Sequence, residues 1–209
     1  VYFSKCQYNT NKTSGTMMKK ILIYGGSFNP LHNGHDAIIR FCATQEEYDA
    51  VWVMPSASRI DKPDLLSDSM RLDMLRHYRE SLPNSIAQFV TVSNFEIALG
   101  APSETLRTHT ALQAQYPDCS FTYIFGADSA LDMVNWRGGA KLQKLLDILI
   151  VPRSGYESAE CCRGRYIDLA DSHKVSSTAI RKLRKNRQSI AHCVPSDVHN
   201  YIKEHCLYE

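Results

Sequence analysis

Short apolar runs rich in β-branched residues alternate with segments of helical period along most of the chain, and that alternation leaves few folds open to it. From Lys19 the run KKILIYGG ends in two glycines and reads as a buried strand feeding a tight turn. His35 to Thr44 then places Ala37, Ile38, Phe41 and Cys42 at helical spacing, in a helix that starts near Asn33 or Gly34. AVWVMP from Ala50, Phe89 to Val92, Phe121 to Phe125 and Ile148 to Val151 read as further strands, the last stopped by Pro152. Between them Ser67 to Glu80, Ser103 to Gln115 and Ala140 to Leu146 read as helices. Strands separated by helices predict a parallel sheet with crossover helices on both faces, a Rossmann-like doubly wound α/β domain. The last forty or so residues read as helices appended to it. We expect one domain over 19–209, preceded by a polar lead-in over 1–18. Such sheets bind ligands beyond the carboxyl ends of their strands, so the loops that follow strands carry the functional question.

Composition narrows the partners. The chain has 209 residues, 44% hydrophobic and 22% charged, which suits a packed core and excludes intrinsic disorder. Twenty-four Lys plus Arg against 22 Asp plus Glu leave a formal charge of +2, so any positive field must be local. No apolar run approaches the roughly 20 residues of a membrane span, and the N-terminal stretch has no secretory apolar core. We therefore expect a cytoplasmic protein with no membrane partner. The seven cysteines are odd in number and lack paired CxxC spacing, which reads as reduced thiols. His192, Cys193, His199, His205 and Cys206 cluster near the C-terminus, but the steps of six from Cys193 to His199 to His205 do not keep ligands on one helical face, so no protein metal site is expected. The basic run RKLRKNR over 181–187 reads as a solvated helix face, not a nucleic-acid surface. A homo-oligomer is compatible with all of this.

Gly25 to His35, GGSFNPLHNGH, joins the first strand to the first helix. It is neither GxGxxG nor GxxxxGK[ST], so the common dinucleotide and P-loop readings fail on residue identity. Gly25 and Gly26 nevertheless let backbone approach a ligand closely, and amides at a helix start favour a phosphate. His32 and His35 stand three apart as the turn becomes helical and can donate to phosphate oxygens. Far along the chain, Ser176, Ser177 and Thr178 at another helix start offer hydroxyl and amide donors, with Arg181 adding a fixed charge on the same side. Taken singly, each segment also fits an ordinary capped turn.

Taken together they resemble the nucleotidyltransferase superfamily with the HxGH signature, which HNGH at His32 to His35 matches residue by residue. GGSFNPLH is similar to the bacterial nicotinate mononucleotide adenylyltransferase branch rather than the pantetheine phosphate branch. VSSTAIR at Val175 to Arg181 resembles that family's ISSTxIR, with valine for the first isoleucine, and GADS at Gly126 to Ser129 stands eight residues before Trp136, measured from Asp128, as in the family. The resemblance spans roughly Lys19 to Ile202. It implies transfer of AMP from ATP, with Mg²⁺ on the nucleotide, to a pyridine mononucleotide. By carry-over, His32 and His35 are catalytic, while Gly25, Gly26, Ser27, Phe28, Lys62, Ser176, Ser177, Thr178 and Arg181 hold ATP phosphates. Trp136 stacks on the pyridine ring and Asp128 meets a ribose or ring substituent. Two other outcomes stay open at this point: a different phosphate acceptor, or a nucleotide-binding homologue without turnover. Two loops depart from the pattern. SRIDKP replaces PPHK, leaving Lys62 as the cation, and GAPSETLRT reads as GPSYTxDTL shortened by about three residues and lacking its YT pair.

Overall fold

The computed structural model describes residues 18–57, 65–153, 156, 164–167, 169 and 175–209. The expected Lys62 cation and the cysteines at 6, 161 and 162 lie outside them. In chain order the elements are β1 (Lys19–Gly26), α1 (Asn33–Ala43), β2 (Ala50–Pro55), α2 (Asp68–Ser81), α3 (Asn84–Ala87), β3 (Val90–Val92), α4 (Phe95–Leu99), α5 (Thr105–Gln115), β4 (Cys119–Gly126), α6 (Ala127–Asp132), a 3-10 turn (Met133–Asn135), α7 (Gly139–Leu145), β5 (Asp147–Val151), β6 (Gly164–Tyr166), α8 (Ser177–Lys185) and α9 (Ser196–Glu204).

All pairings are parallel, and the strand order β3-β2-β1-β4-β5-β6 is that of a doubly wound sheet, as the alternation of elements requires. The period-two pleat divides each strand between two cores. Leu22, Tyr24, Val51, Val53, Ile124 and Leu149 face α1, α2, α8 and α9, whereas Ile21, Ile23, Trp52, Met54, Phe121 and Ile150 face α4 to α7. The last two helices close the first of these cores through Ile180, Val198 and Ile202. Truncating a fully buried aliphatic such as Leu22 to alanine costs about 2–5 kcal/mol in such a setting.

The chain reverses direction across the sheet between β1 and β4, because β2 and β3 extend to one side and β5 and β6 to the other. The carboxyl ends of these two central strands, Gly26 and Gly126, therefore flank the crevice in which such sheets bind ligands. Four short elements, α3, α4, α6 and β6, and the 3-10 turn were not foreseen from periodicity, since segments of three to six residues carry too little of it to register.

Candidate active site

After Gly26 the chain turns through Phe28, whose φ of +45° puts a bulky residue in the left-handed region at a cost of about 1–3 kcal/mol. Burial offsets that cost. The phenyl ring is 1% exposed, 5.5 Å from the Tyr24 ring and 5.0 Å from that of His35, both edge-on. Its side chain thus backs a histidine instead of facing solvent.

His32 caps α1. Its Nδ1 accepts from the backbone N–H of Gly34 (3.2 Å) and of His35 (3.4 Å), while His35 Nδ1 accepts from the His32 N–H (3.2 Å). This is a capping box built from imidazoles, and it fixes chemistry as well as geometry. A backbone N–H can only donate, so in each neutral ring Nδ1 is the acceptor and the proton sits on Nε2. The rings stack with centroids 3.7 Å apart at the start of a helix, each with its Nε2 on the side of the ring away from the capping Nδ1.

The remote serine motif comes to the same loop. Ser176 caps α8 by accepting from Ala179 N–H (3.2 Å), Ser177 Oγ donates to Pro30 O (2.9 Å), and Arg181 Nη1 donates to Asn29 O (2.9 Å) across 152 positions of sequence. Arg181 Nη2 also donates to Thr178 Oγ1 at 3.3 Å.

Beside this loop opens a cavity of about 1100 Å³ whose wall includes Gly25, Gly26, Ser27, Asp128, Trp136 and Tyr156. The Trp136 indole is half-buried, edge-on to Phe125 at 5.4 Å, and donates from Nε1 to Asp132 Oδ2 at 3.0 Å. Hydrogen bonds from Asn135 and Trp136 hold the Asp132 carboxyl below its usual range. Asp128 Oδ2 accepts from Arg153 Nη1 at 2.6 Å, while its Oδ1 is buried with no hydrogen-bond partner among the described residues. Gly126 permits this arrangement, because a Cβ there would stand 2.6 Å from Asp128 Oδ1 and 3.1 Å from Arg153 Nε. Of the residues expected from sequence, Gly25, Gly26, Ser27, Asp128 and Trp136 line the cavity. His32, His35, Ser177 and Arg181 gather on the adjoining loop, Ser176 and Thr178 are exposed at the start of α8, and Phe28 turns inward.

Residues 23–183 match the cytidylyltransferase-like family. The probable nicotinate-nucleotide adenylyltransferase of Bacillus licheniformis is 31% identical over 192 residues, which is 92% of this chain and 100% of the relative. The nicotinate-nucleotide adenylyltransferase of Bacillus subtilis is 30% identical over 194 residues, again 92% and 100%. The chain belongs to this family. Its fold is shared with Plasmodium falciparum nicotinic acid mononucleotide adenylyltransferase complexed with NaAD, at a TM-score of 0.82 and 21% identity, covering 91% of this chain and 97% of that one.

Within the family frame one sequence expectation is corrected. Counted from Pro102 and Ser103, the segment is not shortened: Glu104 takes the place of the tyrosine, Thr105 is the threonine of the pair, and Thr108 is the second threonine. Ser103, Glu104 and Thr105 all line the cavity, and α5 begins at Thr105. Glu104, Arg107 and His109 stand where the pattern has its tyrosine, aspartate and leucine.

Two residues escaped sequence reading. Arg71 on α2 is fully buried and donates to the carbonyls of Ser27 (3.0 Å), Ser56 (2.7 Å) and Leu66 (3.1 Å) and to the Asp68 carboxylate. Tyr208 donates to Asn29 Oδ1 at 2.8 Å, and the Leu66 N–H donates to the same oxygen. With Ser177 and Arg181, these donors occupy acceptors of Ser27, Asn29 and Pro30. The loop's carbonyls are turned to protein donors, which makes it a better host for an anion. The available signal was an arginine amid the apolar period of α2, and that pattern ordinarily reads as a snorkelling surface residue.

Proposed function

We propose that this nucleotidyltransferase transfers AMP from ATP to nicotinate mononucleotide, giving nicotinate adenine dinucleotide and pyrophosphate for NAD biosynthesis. The docking of α8 on Asn29 and Pro30, just before His32, carries the reading, because it gathers donors from both ends of the chain on one loop beside the cavity. A phosphate oxygen of the mononucleotide forms a bond to the α-phosphorus as the α–β bridge breaks and pyrophosphate leaves. The attacking group is already an anion, so no side-chain nucleophile is needed, and positioning with charge stabilisation supplies the rate.

In this reading the His35 and His32 Nε2–H groups donate to α-phosphate oxygens as charge develops there. Arg181, two of whose five N–H groups are occupied within the protein, offers others to the leaving pyrophosphate together with the start of α8. Trp136 stacks on the pyridine ring, and the unpartnered Asp128 Oδ1 accepts from a substrate hydroxyl. The divalent cation is Mg²⁺, which enters on the ATP phosphates as part of that substrate. No helix among the described residues is long and apolar enough to cross a membrane, and we assign the enzyme to the cytoplasm. Residues 19–209 would form one catalytic domain behind a polar lead-in, with ATP and the mononucleotide as its small-molecule partners.

The test is His35→Ala. Turnover should fall by about 10² or more while MgATP affinity changes little, because the donor acts chiefly in the transition state. Wild-type turnover in that variant would remove His35 from the mechanism.

A further inference from the structure

Among the described residues lining the 1100 Å³ cavity, Arg137 is the only cationic side chain, against the carboxylates of Glu96, Glu104, Asp128 and Asp132. We propose that the Arg137 side chain is the specificity-determining residue for the ring carboxylate of the pyridine substrate, and that Glu104 sets how strongly the acid is preferred over the amide. This rests on the pyridine adenylyl-transfer reading above and deepens it.

The geometry supports the role in three ways. Arg137 directly follows Trp136, so its guanidinium extends from the backbone that carries the proposed stacking surface. That backbone is held: Trp136 N–H donates to Met133 O (3.0 Å), Gly139 N–H donates to Trp136 O (2.8 Å), and Gly138 packs with φ +74° where a Cβ would stand 2.6 Å from Leu106 Cδ2. The turn therefore rests on α5, the helix whose N-cap is Glu104. Finally, Arg137 Nη1 meets Glu104 Oε1 at 2.9 Å, but the arginine side chain is 80% exposed, and exposed pairs of this kind are weak and readily exchanged.

The other acids are engaged elsewhere. Glu96 accepts from Ser103 Oγ, Asp128 from Arg153, and Asp132 from Asn135 and Trp136. A carboxylate arriving in such surroundings meets repulsion unless a guanidinium fork receives it, whereas a carboxamide carries no charge to be matched. Glu104 acts on the acid as a like charge that competes for the guanidinium.

The experiment compares kcat/KM for nicotinate and nicotinamide mononucleotide, with MgATP, in wild type, Arg137→Gln and Glu104→Gln. Arg137→Gln should lower kcat/KM for the acid by about tenfold or more and leave the amide within about twofold, the loss of one charge-assisted contact. Glu104→Gln should move the acid-to-amide ratio upward, by about threefold or more, through removal of a neighbouring like charge. The ratio is internally controlled, because general damage to the protein lowers both numbers alike. An unchanged ratio in Arg137→Gln, or equal losses for both substrates, overturns the proposal while leaving the activity standing. A wild-type protein that uses neither mononucleotide overturns the activity reading itself.

Discussion

Gly25→Ala separates what the end of β1 does for the fold from what it does for a ligand. Gly25 is exposed at the strand terminus, paired in register with Met54, and its φ is not positive. A Cβ built there would meet only Met54 O, at 4.0 Å. The methyl group therefore adds no strain, and restricting the unfolded chain should stabilise the protein by about 0.4–1 kcal/mol. At about 2–4 °C per kcal/mol for a chain of this length, Tm should stay level or rise by about 1–4 °C. Gly25 also lines the cavity, where the proposed function brings substrate phosphate against backbone, so the same methyl stands in its way. Displacing the reacting groups by about 1 Å costs on the order of 10²-fold, so kcat/KM for ATP should fall by about that factor. Thermal unfolding followed by circular dichroism, beside steady-state pyrophosphate release, reads both quantities. Wild-type kcat/KM in the alanine variant would refute the close approach, and a lowered Tm would refute the open space. Gly26→Ala is the contrasting control, since its Cβ would press on the Phe28 ring at 3.3 Å.

Three further outcomes follow from the geometry. Arg71→Met strands the carbonyls of Ser27, Ser56 and Leu66 and the Asp68 carboxylate; at about 3–5 kcal/mol for a broken buried pair, Tm should drop by roughly 10 °C, and a shift under about 3 °C would contradict the clamp. Tyr208→Phe removes one hydrogen bond to Asn29, so KM for ATP should rise about fivefold with KM for the mononucleotide unchanged; equal effects on both would remove its link to the phosphate loop. His109 is buried with Nδ1 on the Tyr123 hydroxyl, Nε2 unpartnered among the described residues, and its pKa pushed down by burial. The unfolded chain takes up that proton below about pH 6.5 while the folded chain resists it, so stability declines as pH falls from about 7 to 5. His109→Leu should flatten that decline in a Tm-against-pH series, and an identical slope would show that the ring titrates normally.

The architecture was legible because it is written in local periods. Runs such as ILIY and VWVM signal strands by themselves, and their alternation with helical segments leaves the parallel sheet as the economical solution. Of the site, His32, His35 and the start of α8 were legible as donor clusters at helix starts, where local chemistry is distinctive. What the fold adds is partnership. Arg71 meets Ser27 across 44 positions and Tyr208 meets Asn29 across 179, and no pattern in either neighbourhood announces a contact of that range. Phe28 entered the site with its motif, and nothing in the neighbouring sequence announces the turn that packs its ring into the core behind His35. Thr105 was missed through an error of register by which a substituted tyrosine was taken for a deletion.

The central claim is adenylyl transfer at the cavity beside the loop on which the imidazole pair and the start of α8 meet. It is tested most directly by incubating the protein with MgATP labelled at the α-phosphorus and nicotinate mononucleotide. The account predicts label in a dinucleotide, one pyrophosphate released for each dinucleotide formed, and loss of both in His35→Ala. Release of ADP or orthophosphate in place of pyrophosphate, or no labelled dinucleotide from the wild-type protein, would contradict it.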